Sequence, residues 1–391
     1  MSPTITPAGV ASEVPSPSWL LRQGGTVFAV LEDTDEVAAL RIVYKDAKPG
    51  DASGNASSGD LGESGEVTLE EISRVKLPAG SGPTHAAIAV DPQLGRHLIT
   101  ADYVDGTVCV LPIGEGDVLG PVAQVLHGDP DRHGPLPAQE GPHAHWILPL
   151  PDGRVLTTDL GADRIHIHHW AGSRLVRTGF VCLAPGTGPR DMHVLPGPSA
   201  ELKEDDDWSV AVVDEWGCTV TVLKPNGGDE ARQGGSGHGQ TGEFRVAQTV
   251  SLGGDKGERP DQAASLAFVP VAVHPGVSEG DGGVSPSSRG YVYVGLRGSD
   301  RIVTLYWDGD RLGRLAEEGD PSWKGRGVSS GGKRPRHILA VGDMLVVANE
   351  VSDNLSLFRS AADGEPVHIG DCPAGSPTVV LALTGIENRS S

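Results

Sequence analysis

A unit that recurs six times constrains this chain more than any other feature. Each copy runs from a proline into an apolar stretch, turns, and gives a second apolar stretch. A short polar turn and a third apolar stretch follow. The clearest copies read GPTHAAIAVDPQLGRHLITADYVDGTVCVLPI, GPHAHWILPLPDGRVLTTDLGADRIHIHHW and RPRHILAVGDMLVVANEVSDNLSLFR. A weaker copy, PSPSWLLRQGGTVFAVLEDTDEVAALRIV, opens the series, and two further copies, around GPRDMHVLPG and AASLAFVPVAVHPG, carry insertions. A repeat of roughly 40–50 residues made of short strands is the signature of a β-propeller. One such blade cannot bury both faces alone, so the 391 residues are expected to form a single all-β domain spanning 1–391 rather than several domains.

The strand periodicity supports this. Thr107–Leu111 and Ile165–Trp170 read as third strands, and Tyr291–Leu296 and Met344–Ala348 as short runs buried on both faces. The turns before third strands read DTDE, VDGT, GADR, GSDR and VSDN, which is Asp, Gly, Asn and Ser turn chemistry. Stretches 48–66, 226–242 and 276–289 are rich in Gly, Ser and Asp and are expected to be flexible insertions between strands. After the sixth copy, Ala374–Leu383 reads as the first strand of a seventh, and Thr4–Val10 as one outer strand. The expected architecture is therefore a seven-bladed propeller of four-stranded antiparallel blades, its closing blade incomplete at the N-terminus.

Composition narrows the partners. A formal charge of −21 disfavours nucleic acid and anionic membranes. The first 17 residues have neither a basic region nor an apolar one, and no apolar run approaches the ~18 residues of a membrane span. Cys109, Cys182, Cys218 and Cys372 show no metal-type spacing and read as free thiols of a reducing compartment, so a cytoplasmic location is expected. Oligomeric state is not legible.

In an up-and-down blade, the start of the first strand and the end of the second lie at one end of the blade. Repeated around an axis, these positions converge on one mouth of the central channel. First-strand starts supply His85, His143, His145, Arg190, Arg336 and His337; second-strand ends supply Glu32, Asp102, Asp159, Glu215, Arg297 and Glu350. So many titratable groups at one mouth point to a functional site, against the alternative of a solvated funnel of ion pairs. Asp102 and Asp159 also suit capping of turn amides, and His166 and His168 read as surface strand histidines.

The stretches quoted above, with GTGPRD, VVDEW and YVYVGLRGSDRIVTLY, resemble the lactonase family of seven-bladed propellers from about Pro17 to Leu383. That family includes bacterial 6-phosphogluconolactonases and fungal carboxymuconate-lactonising enzymes. The resemblance implies a catalytic set of His145, Arg190, Glu215 and Arg297. It implies no metal and no cofactor. Among the other positions that topology brings to the mouth, His85, His143, Arg336 and Asp159 are expected in substrate binding, with His143 reading also as a structural or edge residue. The family's Asn before this Glu and Arg is replaced by Asp214 and Leu296, and Trp146 stands where a small polar residue is usual.

On this reading the chain hydrolyses a small anionic sugar-acid lactone, 6-phosphogluconolactone first among them. His145 or Glu215 would be the base and the two arginines would stabilise the oxyanion. The alternatives are a carboxymuconate-type lactonising cycloisomerase and a non-enzymatic binding propeller.

Overall fold

The computed structural model describes residues 14–44, 67–198, 207–226, 242–254, 260–273, 285–317 and 319–383. Among them lie six antiparallel sheets, five of four strands and one with a fifth, each following the chain from innermost to outermost strand. Blade 1 is β1 (Pro17–Gln23), β2 (Thr26–Leu31), β3 (Glu36–Tyr44) and β4 (Val67–Lys76); blade 2 is β5 (Pro83–Asp91), β6 (Gly95–Asp102), β7 (Val108–Pro112) and β8 (Gln124–Leu126). Blade 3 is β9 (Ala144–Pro149), β10 (Val155–Asp159), β11 (Arg164–Ala171) and β12 (Arg174–Cys182); blade 4 is β13 (Pro189–Pro196), β14 (Trp208–Asp214), β15 (Thr219–Pro225) and β16 (Phe244–Ser251). Blade 5 is β17 (Ala263–Pro270), β18 (Gly290–Leu296), β19 (Arg301–Trp307) and β20 (Leu312–Arg314), with β21 (Val328–Ser329) also pairing with β19. Blade 6 is β22 (Pro335–Val341), β23 (Met344–Asn349), β24 (Asn354–Ser360) and β25 (Pro366–Pro373).

The second and third strands are buried on both faces because blades stack on each other. Apolar side chains of neighbouring blades fill each interface: Val213, Val220 and Leu266 between blades 4 and 5, and Leu98, Cys109 and Val37 between blades 1 and 2. The aspartates of the polar turns clip successive blades together. Asp35 accepts from the amides of Gly80 and Gly82 at 2.8 and 2.9 Å, and Asp163 from Gly186 and Gly188, both at 2.7 Å. Asp300 takes Arg334 N at 2.7 Å and Asp353 takes Ser376 N at 2.8 Å. All four aspartates sit at left-handed φ, between 52° and 57°, which Asp tolerates better than most residues.

Where a seventh blade was expected, the described residues hold no seventh sheet. Segment 374–383 nevertheless joins blade 6 to blade 1 with the bonds that inner strands use elsewhere. Val380 N donates to His337 Nδ1 at 3.1 Å, as Ile147 N does to His85 Nδ1 at 3.1 Å. Thr378 Oγ1 donates to Pro17 O at 2.9 Å, as Ser18 Oγ does to Pro83 O at 3.1 Å. Leu381 and Leu383 pack on the apolar face of blade 1. Thr4–Val10 and most of the three expected insertions lie outside the described residues.

Candidate active site at the channel mouth

One backbone device places the mouth residues. In every blade the first and second strands pair residue for residue until the mouth, where the first strand carries one extra residue. Such a bulge re-aims a side chain and is common beside active sites. It falls at Ser18, Thr84, His145–Trp146, Arg190, Ala264–Ser265 and Arg336. Opposite each bulge, the residue just after the second strand donates its amide to the approach to the first strand: Glu32 to Ser16 O, Tyr103 to Gly82 O, Leu160 to His143 O, Glu215 to Gly188 O, Arg297 to Gln262 O and Glu350 to Arg334 O. These six residues are structural equivalents.

This corrects the expectation for Asp159. It is the last residue of its strand, one place short of the mouth position, which Leu160 takes. Its carboxylate accepts His143 N at 2.9 Å and Ala162 N at 3.0 Å, so it caps a turn. Asp102 stands equally short of Tyr103 and accepts the Thr107 hydroxyl at 3.1 Å.

The four residues expected to be catalytic divide into a clamp and an imidazole. Glu215 takes Arg190 Nε on Oε2 at 3.0 Å and Arg297 Nη2 on Oε1 at 2.6 Å. All three side chains are buried or nearly so. Arg190 Nη1 also donates to Ala264 O at 2.7 Å. Burial, then the repulsion of Arg297, brings the Arg190 guanidinium down to about 10, still cationic at neutral pH. His145 is 7% exposed and its Nδ1 has no protein partner. Burial, then the charges of Arg190 and Arg336, hold it well below the ordinary histidine range, so the neutral ring is the resting form.

Arg336 forms the adjoining part of the mouth, with Glu350 at 3.0 Å and Glu32 at 3.9 Å, and Arg334 meets the other Glu350 oxygen at 3.0 Å. Burial raises the Glu32 carboxyl above its usual value.

His85 and His143 lie beside the clamp rather than in it. His85 stacks on Trp146 with ring centroids 3.6 Å apart and accepts Ile147 N, which makes it part of the wall of an axial cavity of about 210 Å³. His143 donates from Nδ1 to Tyr103 O at 2.7 Å and stacks on the Tyr103 ring at 4.5 Å. It positions Tyr103, a mouth residue that the sequence reading missed. The Tyr103 ring meets His145 edge-on at 6.0 Å, and burial followed by the Glu215 charge raises its phenol, which therefore stays protonated as a donor. Alignment of the residue after each second strand, rather than the last polar residue of it, is the signal that finds Tyr103. Among the described residues no group of three or more His, Cys, Asp or Glu is placed to hold a metal ion.

Comparisons with known proteins agree on a β-propeller of antiparallel blades, in a family with one blade more than the six sheets of the described residues. A family model described as "Lactonase, 7-bladed beta-propeller" matches residues 2–382. The 6-phosphogluconolactonase of Bacillus subtilis is 29% identical over 71% of this chain and 66% of its own length, so the chain spans just under two thirds of that relative. An uncharacterized protein of Staphylococcus aureus is 32% identical over 84% of this chain and 82% of its own. The solved periplasmic gluconolactonase of Pseudomonas aeruginosa superposes with a TM-score of 0.67 at 24% identity, covering 96% of this chain and 90% of that one. A solved putative 6-phosphogluconolactonase of Bacteroides fragilis gives 0.66 at 20% identity, over 94% and 87%. These two structures speak for the fold.

Proposed function

Because the chain belongs to the lactonase family of seven-bladed β-propellers, we propose that it hydrolyses a sugar-acid lactone, 6-phosphogluconolactone first, at the channel mouth. The observation that carries this reading is the Glu215 carboxylate gripping Arg190 and Arg297 beside the buried, neutral His145. Both Glu215 oxygens are engaged by guanidiniums, so its role is to position two cations. Nδ1 of His145 has no protein partner, and the neutral ring keeps one nitrogen able to accept a proton.

In the reaction, His145 takes a proton from water as the water oxygen bonds to the lactone carbonyl carbon. The carbonyl oxygen gains the negative charge, which the two arginines stabilise. The ring C–O bond then breaks, the departing alkoxide recovers the proton from His145, and a hydroxy acid leaves. The two guanidiniums also give an anionic substrate a local attraction inside an acidic protein.

The same family reading supports segment 374–383 as the innermost strand of a seventh blade, within one domain. The four cysteines are free thiols, three of them buried, which supports a reducing, cytoplasmic compartment.

The test is hydrolysis of freshly made 6-phosphogluconolactone above its spontaneous background by the wild type, Arg190→Ala and His145→Ala. A wild-type rate that both variants lose supports the reading. No rate from folded protein overturns that substrate and turns the question to a carboxymuconate-type acid.

A further inference from the structure

A cleft of about 290 Å³ opens between blades 2 and 3, apart from the mouth cluster. It exists because β8 is three residues long while β12, the outer strand of the facing blade, has nine. Part of the blade 3 face is therefore left without a covering strand.

That face is polar. Side chains alternate along a strand, so Thr157 and Asp159 of β10 share a face with His166 and His168 of β11, Thr157 lying opposite His166. The opposite face carries Leu156, Ile165 and Ile167 into an apolar interface. His166 and His168, expected at the surface, are 5% and 2% exposed.

Each ring uses only one nitrogen within the protein. His168 Nε2 meets Thr157 Oγ1 at 3.1 Å, and His166 Nε2 faces Asp159 Oδ2 at 3.5 Å. A carboxylate only accepts, so a neutral His166 ring that donates from Nε2 to Asp159 has its lone pair on Nδ1. Nδ1 of both rings is buried without a protein partner. Leaving such an atom unmet costs about 1–3 kcal/mol, and two on one cleft wall call for an explanation.

The lining selects the ligand. A bare anion would meet Asp159, and an apolar molecule would leave both imidazole nitrogens unmet. A molecule bearing several hydroxyls satisfies both kinds of group. Its hydroxyls can both donate to imidazole nitrogens and accept from Arg177, which lines the cleft and is held by Asp129 at 2.6 Å. The volume equals roughly ten waters, which accommodates a five- or six-carbon chain.

We infer that this cleft binds a small polyhydroxylated molecule, a sugar alcohol or an open-chain sugar acid, at a site separate from the channel mouth. It stands independently of the proposed reaction. Thr158 of the same strand also lines the cleft and donates to Arg190 O at 3.3 Å, so cleft and mouth share β10.

The experiment follows the imidazole resonances of the full chain by NMR during titration with D-glucitol, D-gluconate and acetate. Saturable shifts of His166 and His168 with a polyol, absent with acetate, are expected, and the relative affinities of glucitol and gluconate separate the neutral ligand from the acidic one. His168→Leu should weaken binding about tenfold, the loss of roughly one hydrogen bond. Leu126→Trp, which fills the rim and leaves both imidazoles in place, should abolish it if His168→Leu fails to fold. Silence of both rings at high millimolar polyol, equal shifts in the filled variant, or a response to zinc alone would overturn the inference.

Discussion

Arg297 Nη2 lies 2.6 Å from Glu215 Oε1, while the second oxygen of the same carboxylate holds Arg190 Nε at 3.0 Å. One carboxylate thus offsets part of the repulsion between two buried guanidiniums. Glu215→Gln preserves the shape and removes the charge that does this. Its kcat/KM on a lactone substrate is expected to fall about 10²–10³-fold, the usual scale for a lost electrostatic stabiliser. Its unfolding midpoint in urea should also drop, because breaking a buried pair leaves uncompensated charge. Unchanged kinetics in Glu215→Gln would remove the clamp from the mechanism.

His145 should set the acid limb of the pH–rate profile. A base works only when unprotonated, and burial with two nearby arginines holds this ring well below 6.5. The profile of kcat/KM is therefore expected to stay flat from pH 8 down through 6.5 and to fall only at lower pH. His145→Asn should be inactive across the whole range. A limb centred near 6.5 would point to an exposed histidine instead.

Tyr103→Phe separates the phenol from the ring. The Phe side chain retains the stack on His143, and the backbone bond from His143 Nδ1 to the carbonyl of residue 103 is untouched. A loss of about tenfold in kcat/KM is expected from the missing hydroxyl, and a larger one from Tyr103→Leu, which also loses the stack. Equal rates for wild type and Tyr103→Phe would confine Tyr103 to packing.

The repeat, the strand order and the convergence of Arg190, Glu215 and Arg297 were legible in the sequence, because period and topology alone bring those positions to one end. The register was not. Counting to the last polar residue of a second strand selects Asp102 and Asp159, whereas the mouth takes the next residue, and only the six repeated amide bonds fix that offset. His85 and His143 lie away from the clamp for a related reason. Each lies near the start of a first strand beside the bulged stretch, with His85 against Trp146 and His143 under Tyr103. His166 and His168 looked exposed because nothing in sequence shows that Leu126, His127 and Gly128 still flank the face that the short β8 leaves without a strand.

Acid should weaken the fold through its buried imidazoles. His85, His145, His168 and His337 are all held below 6.5 by burial, His337 at about 4. In the unfolded chain each binds a proton near 6.5, so the stability they confer is complete above that pH and is lost as pH falls towards the folded values. Asp102 and Asp214, raised by burial to about 6 and about 7, act in the opposite sense and favour the fold on acidification. Four imidazoles against two carboxyls leave a net uptake of about two protons on unfolding. The urea midpoint is expected to fall steadily from pH 6.5 to 5. A midpoint that rises over that interval would show that the two aspartates dominate.

Ring closure rests on the C-terminal segment, which makes its effect on stability larger than its length suggests. Thr378→Val keeps the volume and removes only the hydroxyl that donates to Pro17 O, so a loss of about 1 kcal/mol is expected. A chain stopped after Ser376 loses that bond, the Val380 amide on His337 Nδ1, and the cover that Leu381 and Leu383 give to blade 1. Full burial of a leucine contributes roughly 1.5–3 kcal/mol, and these two, partly buried, contribute a fraction of that each, so the truncated chain should unfold at lower urea and expose a sheet face prone to self-association. Urea unfolding with light scattering on the three proteins checks this. A truncated chain as stable and monodisperse as the full one would show that blades 6 and 1 close the ring without the segment.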